Sequence, residues 1–534
     1  MAPVWGACDL AEIWANRADV TLLDTDFDQG QSFLHVWTAW RQATQRPRLL
    51  HYVGIAPAAP VGCMATSDMA QTLFAACFAL EPGFHRITLE EGKEGRVLLT
   101  LCLGEKKTML AEQRLQADGV WIAAPDDAFW DAWSVKLLAQ RCRRGAWVCA
   151  PAWNPLFASA GFERDTGVGV CMRYNPRWAI STSRNKASPP MVQPGRCAVV
   201  GAGMAGASVA HALAQRGWQV QVFDQESSPA AAASGVPVGL AVPQLSTDDN
   251  PRSRITRCGI RLLLQQARSL LQQDQDWSPS GVLERGIDGQ AVWHTQAAWI
   301  KPAELVRAWL NHPSIRFVAQ ARIERLTHVD ALWQLHDAHN RALGDFELVV
   351  LANALGCIPL LRDVSSPAVH KLQAMHGTLS YGRHAEAIPN LPPTPVNGHG
   401  YFIPAVPVAS GTQWLLGATF EPDALKAADI WAQHACNMQR LPQLWPPGGT
   451  ELGETLERGP LELWSATRCV SLDRLPLLGP LLATAQSQLW LCTGLGSRGL
   501  SFAPLCAELL VANLMGEPLP LEKSLVAKLD ANRA

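Results

Sequence analysis

The chain has 534 residues, a length that predicts two to four domains and excludes a single small module. Hydrophobic residues make up 48% and charged residues 17%, the balance of an ordinary folded protein rather than a disordered or fibrous one. With 45 Lys plus Arg against 47 Asp plus Glu the formal net charge is -2, so no global field draws the chain to nucleic acid or to an anionic membrane, and a polyanionic partner has to meet a local patch.

The start, MAPVWGACDLAEIW, meets Asp9 and Glu12 early and has neither a basic leader nor an apolar run of signal-peptide form, so secretion is not expected. The most apolar long stretch, Leu348 to Leu361, contains Asn353 and falls short of the ~18 to 20 residues of a spanning helix. The 14 cysteines are scattered without a CxxC, the closest pair being Cys142 and Cys149, which predicts no metal site and reduced, mostly buried thiols in a cytoplasmic protein. Buried aromatic packing is sufficient to explain the 21 tryptophans, with stacking on bases the minor alternative.

In chain order, Val20 to Asp24 reads as a strand ending in an acid, Phe33 to Trp40 has helical spacing, and Arg48 to Ile55 is strand-like again. Further strands are expected at Val97 to Leu103, Val120 to Ala123 and Ala146 to Ala150, with a helix from Trp133 to Gln140 before the last. This is a doubly wound α/β pattern. The polar, proline-containing run AISTSRNKASPPMVQPG marks a linker over 179–195, between domains at 1–178 and 196–534. The second domain opens on the strand Cys197 to Gly201 and a helix from Ala207 to Arg216. A strand at Gln219 to Phe223, a long helix from about Arg252 to Gln273 and a mixed series of strands follow, and the chain closes on TGLGSRGL and a helix from Ala503 to Met515.

Gly201, Gly203 and Gly206 form GxGxxG between a predicted strand and a predicted helix, and Asp224 ends the next strand. The chemistry of dinucleotide binding asks for these residue types: a glycine for the tight turn, one for close approach of backbone to pyrophosphate, one for helix–strand packing, and an acid for ribose hydroxyls. The alternative is a merely tight β–α turn. A simple nicotinamide enzyme has no use for a second glycine-rich strand–loop–helix, yet Leu489 to Cys492 runs into Gly494, Gly496, Ser497, Arg498 and Gly499 and then a helix. That return segment suggests FAD, because its helix N-terminus is able to stabilise negative charge on a reduced flavin. A purely structural turn is the alternative.

These segments, with AAASGVPVG (Ala231 to Gly239, including Ser234, Gly235 and Gly239), WIKPAEL, LANALG, HGTLS, ATRCVSLDRLPLLGP and GSRGLSFAPLCAELL, resemble the FAD domain of the MnmC family. That family comprises bifunctional tRNA-modifying enzymes of bacteria, with an oxidase half similar to D-amino-acid and glycine oxidases. The resemblance spans nearly all of 196–533. It implies an N-terminal Rossmann-like, methyltransferase-type domain and a C-terminal FAD-binding Rossmann α+β domain. It further implies oxidative removal of the carboxymethyl group from 5-carboxymethylaminomethyl-2-thiouridine in tRNA, leaving the 5-aminomethyl base. The departing fragment carries a carboxylate, so an arginine is expected near the flavin, and Arg468 and Arg498 lie in the matching motifs; either alternatively serves a structural ion pair. His376 is placed on the same face by the resemblance, or is a satisfied core histidine.

The first domain resembles the methyltransferase half of the same family. LLDTDFDQGQSFLHVWTAWR (Leu22 to Arg41) aligns with its S-adenosylmethionine loop, with Asp24 and Gly30 as the cofactor contacts. Asp26 and Asp28 stand where the family has glycines, Ala56 stands where the second strand ends in an acid, and the active-site loop reads WIAAPDDAFW with Asp126 and Asp127 displaced. The expectation is a domain that has lost its methyltransferase chemistry. The alternatives are a fully bifunctional enzyme that still methylates, a small-molecule amine oxidase, and a flavoprotein that binds tRNA without turnover. For tRNA phosphates the candidates are Arg141, Arg143 and Arg144, and Arg252, Arg254, Arg257 and Arg261 at helical spacing, with a solvated basic helix face as the alternative.

Overall fold

Continuous apolar runs rather than alternating ones dominate the strands of the first 150 residues, and such strands are stable only with both sheet faces covered. The computed structural model of the chain describes residues 10–61, 67–92, 95–124, 128–164, 171–179, 192–286, 289–362, 367–383, 388–481 and 488–533. Its contacts divide the chain into two units, 1–192 with 511–526, and 193–510 with 527–534. The segment 511–526 thus groups with the first unit, although the boundaries read from the sequence place it in the second.

The first unit is an eight-stranded sheet of β1 (Asp19–Asp24), β2 (Leu49–Ala56), β3 (Gly83–Gly92), β4 (Gly95–Leu103), β5 (Ala117–Trp121), β6 (Cys142–Cys149), β7 (Phe162–Arg164) and β8 (Cys171–Tyr174), in the order β3-β4-β2-β1-β5-β6-β8-β7. The central five strands are parallel. Adjacent residues feed opposite faces: Leu22 and Tyr52 join a core with Phe27, Phe33, Trp37 and Trp40, while Leu23 and Val53 join one with Val120, Trp130 and Phe157. The strand order reverses between β1 and β5, so the switch point of the sheet, where α/β folds bind ligands, lies beyond Asp24 and Trp121. The hairpin strand β3 and the helix Asp68–Ala76 were not expected from the sequence. The tail segment joins this unit through a reciprocal pair of hydrogen bonds between the Gln113 side chain and the Leu519 backbone, 3.1 and 2.8 Å.

The second unit has a Rossmann-type sheet in which 315–318, β10 (Gln219–Phe223), β9 (Arg196–Val200), 348–351 and 489–493 run parallel and 477–480 closes the edge antiparallel. Its order reverses between β9 and Leu348–Leu351. The expected long helix spans Pro251–Leu270, opened by Asn250, whose side chain accepts from the Ser253 N–H at 3.1 Å, and by Pro251 in the first turn. A Cβ on Gly259 of that helix would stand 1.8 Å from the Ser501 carbonyl oxygen, so it packs backbone to backbone against the helix Gly499–Met515. A seven-stranded, mostly antiparallel sheet carries Leu372–Arg383 paired with Glu462–Ser471. Together these are the α/β first unit and the α+β second unit that the resemblance implied.

Eleven cysteines among the described residues stand outside any disulfide, ten of them buried. Cys149 is disulfide-bonded, which corrects the expectation of reduced thiols throughout. No helix among the described residues is long and apolar enough to cross a membrane, and no group of three or more His, Cys, Asp or Glu is placed to hold a metal ion.

Candidate functional site

At the switch point of the second unit, β9 leads into Gly201, with φ +105°, a conformation that L side chains rarely adopt. A Cβ there would stand 2.7 Å from the Ala352 carbonyl, and one on Gly206 would stand 1.8 Å from the Gly201 carbonyl oxygen. The loop is therefore pressed between the end of 348–351 and the first turn of the helix Met204–Ala214, whose N-cap, Gly203, offers no side chain to its N–H groups. Ser234, in the short turn Ala233–Gly235, accepts from the Met204 N–H at 2.9 Å. Asp224 accepts from the Ala202 N–H at 2.6 Å through one oxygen and from the Glu226 N–H at 3.0 Å through the other. Each oxygen retains a lone-pair direction for a ribose hydroxyl.

Asn353, next to Gly201, keeps a buried side-chain oxygen without a hydrogen-bond partner. An unpaired buried acceptor is costly, and beside a helix start whose N-cap carries no side chain it fits a bound dinucleotide better than an empty turn. Sequence reasoning quoted this asparagine within LANALG without assigning it a role; its place directly after a buried strand was the available signal. The second glycine-rich segment joins the same place. Gly494, Gly496 and Ser497 follow the strand Leu489–Thr493, Gly499 begins the last long helix where an added Cβ would meet Met204 Cγ at 4.0 Å, and Leu500 packs against Gly239.

On the antiparallel sheet, His376 stands opposite Thr467 and Met375 opposite Arg468. His376 Nδ1 and Thr467 Oγ1 are 2.9 Å apart, and the His376 backbone exchanges hydrogen bonds with Glu421. The Arg468 guanidinium lies across Gly377, where a Cβ would come within 2.2 Å of Nη1. Gly377 in HGTLS thus leaves the space that the guanidinium occupies. Arg468 donates to the Thr419 carbonyl at 3.2 Å and has no carboxylate partner among the described residues. Burial lowers its pKa and the nearby Tyr401 opposes that shift; burial also pushes the Tyr401 phenol up to about 12. Arg498 likewise has no ion-pair partner among the described residues, its pKa lowered by burial first and then by Arg252. The structural ion-pair alternative for both arginines is therefore absent from the described structure.

The first unit's loop is arranged differently. Both oxygens of the buried Asp24 are engaged, by Tyr52 Oη at 2.7 Å and by the Asp26 N–H at 2.9 Å. Desolvation raises the Asp24 pKa from 3.8 to about 7, although the Tyr52 and Asp26 hydrogen bonds and Lys106 oppose the shift. Asp26 pairs with Lys106 and accepts from Thr25 Oγ1 at 2.8 Å and from the Ala123 N–H at 3.3 Å. The Thr25 N–H reaches the Trp121 carbonyl at 3.0 Å. These bonds stitch β1 to β5 across the switch-point crevice. Gly30 is left-handed at φ +76° and faces Leu73 and Phe27, and the Phe27 ring fills the space over Gly54. Ala56 ends β2 without an acid. The residues present do not fit S-adenosylmethionine, and the expected contacts Asp24 and Gly30 serve the unit's own packing. Asp126 and Asp127 lie outside the described residues.

The candidate phosphate-binding arginines separate. Arg143 pairs with Asp118, Arg141 and Arg144 donate to backbone carbonyls, and Arg254 and Arg257 pair with Asp249. Arg252 has no ion-pair partner among the described residues and keeps a buried, unpartnered Nε.

Comparison with known proteins places these features. The FAD dependent oxidoreductase (DAO) family model matches residues 196–286 and 274–513, so FAD is the cofactor of this half. The chain is 41% identical over 98% of its length, and 95% of the relative's, to the tRNA 5-methylaminomethyl-2-thiouridine biosynthesis bifunctional protein MnmC of Albidiferax ferrireducens. It is 39% identical, over 96% and 90%, to the protein of that name from Polaromonas naphthalenivorans. A crystal structure of glycine oxidase from Geobacillus kaustophilus superposes with a TM-score of 0.51 at 17% identity, covering 64% of this chain and 99% of that one, a likeness of fold. The chain belongs to the MnmC family, and its residues 196–513 to the FAD dependent oxidoreductases.

Proposed function

We propose that this chain acts in the cytoplasm on tRNA, oxidising the side chain of 5-carboxymethylaminomethyl-2-thiouridine at the wobble position to leave the 5-aminomethyl base, and that its first unit no longer methylates. The observation that carries the first part is Arg468, a cation over Gly377 with a backbone carbonyl but no carboxylate for a partner. Such a cation stabilises the carboxylate of a carboxymethylamine in a bidentate grip. FAD supplies two-electron oxidation of the adjacent C–N bond when bound. Loss of two electrons and two protons from the secondary amine leaves an imine; water adds to its carbon, the C–N bond breaks, and glyoxylate departs from the aminomethyl base. The protein's part is orientation: Arg468 fixes the carboxylate, the Gly201–Gly206 loop and Asp224 hold the dinucleotide, and Arg498 adds positive charge at the start of the last helix.

What supports loss of methylation is the stitched crevice, with Asp26 bonded to Lys106, Thr25 and Ala123 where a cofactor would enter. The test of the oxidase reading is anaerobic flavin reduction by Arg468→Met. The variant is expected to retain FAD and to lose about 100-fold in kcat/KM on the carboxymethylaminomethyl substrate. Normal reduction would remove Arg468 from the substrate site.

A further inference from the structure

Fourteen large hydrophobic side chains are exposed among the described residues, and four of them, Phe420, Leu425, Ile430 and Trp431, fall within one stretch of twelve. Phe420 is anchored from both sides: Thr419 gives its carbonyl to Arg468, and Glu421 exchanges backbone hydrogen bonds with His376. Phe420 is 38% exposed, and its ring carries the Arg474 guanidinium 5.7 Å from its centroid. The charges of Arg252 and Arg474 both act on Arg498, and among the described residues none of the three has an ion-pair partner. Glu284, the acid whose charge acts on Arg498, is already bonded to His294 at 2.6 Å and to Asn397 at 3.2 Å.

An exposed aromatic face beside un-neutralised arginines is the recognition chemistry of a single-stranded nucleic acid: the ring stacks on a base, and the arginines meet phosphates. A protein partner's apolar face would leave these cations unpaired and desolvated, at a cost. We propose that Phe420 and Arg474 form a stacking platform for an unpaired base next to the reacting nucleotide, with Arg474 bridging ring and phosphate. This rests on the proposed tRNA substrate and deepens it. The reacting base goes to Arg468, and its neighbour in the strand rests on Phe420, one residue along from the carbonyl that Arg468 holds.

The experiment uses the full-length FAD-loaded protein with two probes: an anticodon stem-loop RNA carrying 5-carboxymethylaminomethyl-2-thiouridine, and the free modified nucleoside. Phe420→Ala and Phe420→Leu are each expected to weaken stem-loop binding about tenfold at fixed salt, without changing the salt slope, while Phe420→Trp binds as wild type. Leucine keeps the apolar bulk and lacks the π-face, so its loss separates stacking from folding, and flavin content reports folding directly. Arg474→Gln is expected to lower the salt slope by about one. Flavin reduction by the free nucleoside should be the same in all variants. Unchanged stem-loop binding in Phe420→Ala and Phe420→Leu would overturn the platform, and so would equal losses on stem-loop and nucleoside, which would put Phe420 in the reacting pocket. If wild type itself fails to bind the stem-loop while a small N-substituted glycine reduces its flavin, the tRNA reading falls, and the platform with it.

Discussion

Asp28 holds φ +45°, the left-handed conformation that a glycine would take at no steric cost, at a position where the resembling family has glycine. The backbone of the loop has been kept while the side chains that line it have changed, and aspartate is one of the few residues that tolerate the exchange. Asp26 uses the change to bind Lys106. Asp24, buried behind it, has become a proton store. Because burial raises its pKa from 3.8 to about 7 in the folded state, the folded chain holds a proton that the unfolded chain releases. That stabilisation is complete below about pH 4 and is lost as pH rises towards and past 7. Its full extent is roughly 4 kcal/mol at 1.36 kcal/mol per pKa unit. Asp24→Asn, neutral at every pH, is expected to flatten the fall in the first unit's melting temperature between pH 5 and 8 and to be the more stable protein at pH 8. A wild-type melting temperature independent of pH over that range would refute the assignment.

Among the elements, the helices Met204–Ala214 and Gly499–Met515 are tied by a buried bidentate pair, Arg216 to Glu508, at 2.7 and 2.8 Å, and by Ser208 Oγ to the Ala503 carbonyl at 3.1 Å. The pair holds the residue just past the end of the first helix against the middle of the second. Glu508→Ala leaves Arg216 buried without its carboxylate and is expected to cost about 3 to 5 kcal/mol, read as a fall in the temperature of FAD release. Replacing both partners with apolar residues of matching volume should recover most of it. A single variant as stable as wild type would show that the pair does not hold the helices. The helix starts were legible in the sequence because GxGxxG followed by an alanine-rich run has few other readings. Their partner was not: the pairing of Arg216 with Glu508 spans 292 positions, and no local pattern encodes it. For the same reason Arg141, Arg143 and Arg144 read as a basic patch, whereas their partners come from distant strands and loops. The hairpin strand β3 escaped notice because its charged His-Arg-Ile-Thr-Leu-Glu-Glu run lies at a sheet edge.

At the scale of the whole molecule, two sheets with the same kind of switch point stand in one chain, and they differ in what occupies it. In the second unit the crevice is lined by a helix start with glycine at its N-cap, an orphaned Asn353 oxygen and backbone that admits no Cβ. In the first, Asp26, Thr25 and Ala123 bond across it. The fold of both was readable from strand–helix alternation, and the closure of the first only from the misplaced acids, whose partner Lys106 lies 80 positions away. The chain is an FAD-dependent oxidoreductase, and its methyltransferase-shaped companion is proposed to be inactive. Nucleoside mass spectrometry of tRNA bearing the carboxymethylaminomethyl base, after incubation with the purified protein with and without S-adenosylmethionine, tests this most directly. The account predicts the aminomethyl base in equal amount in both samples; the methylaminomethyl base appearing only with S-adenosylmethionine would contradict it.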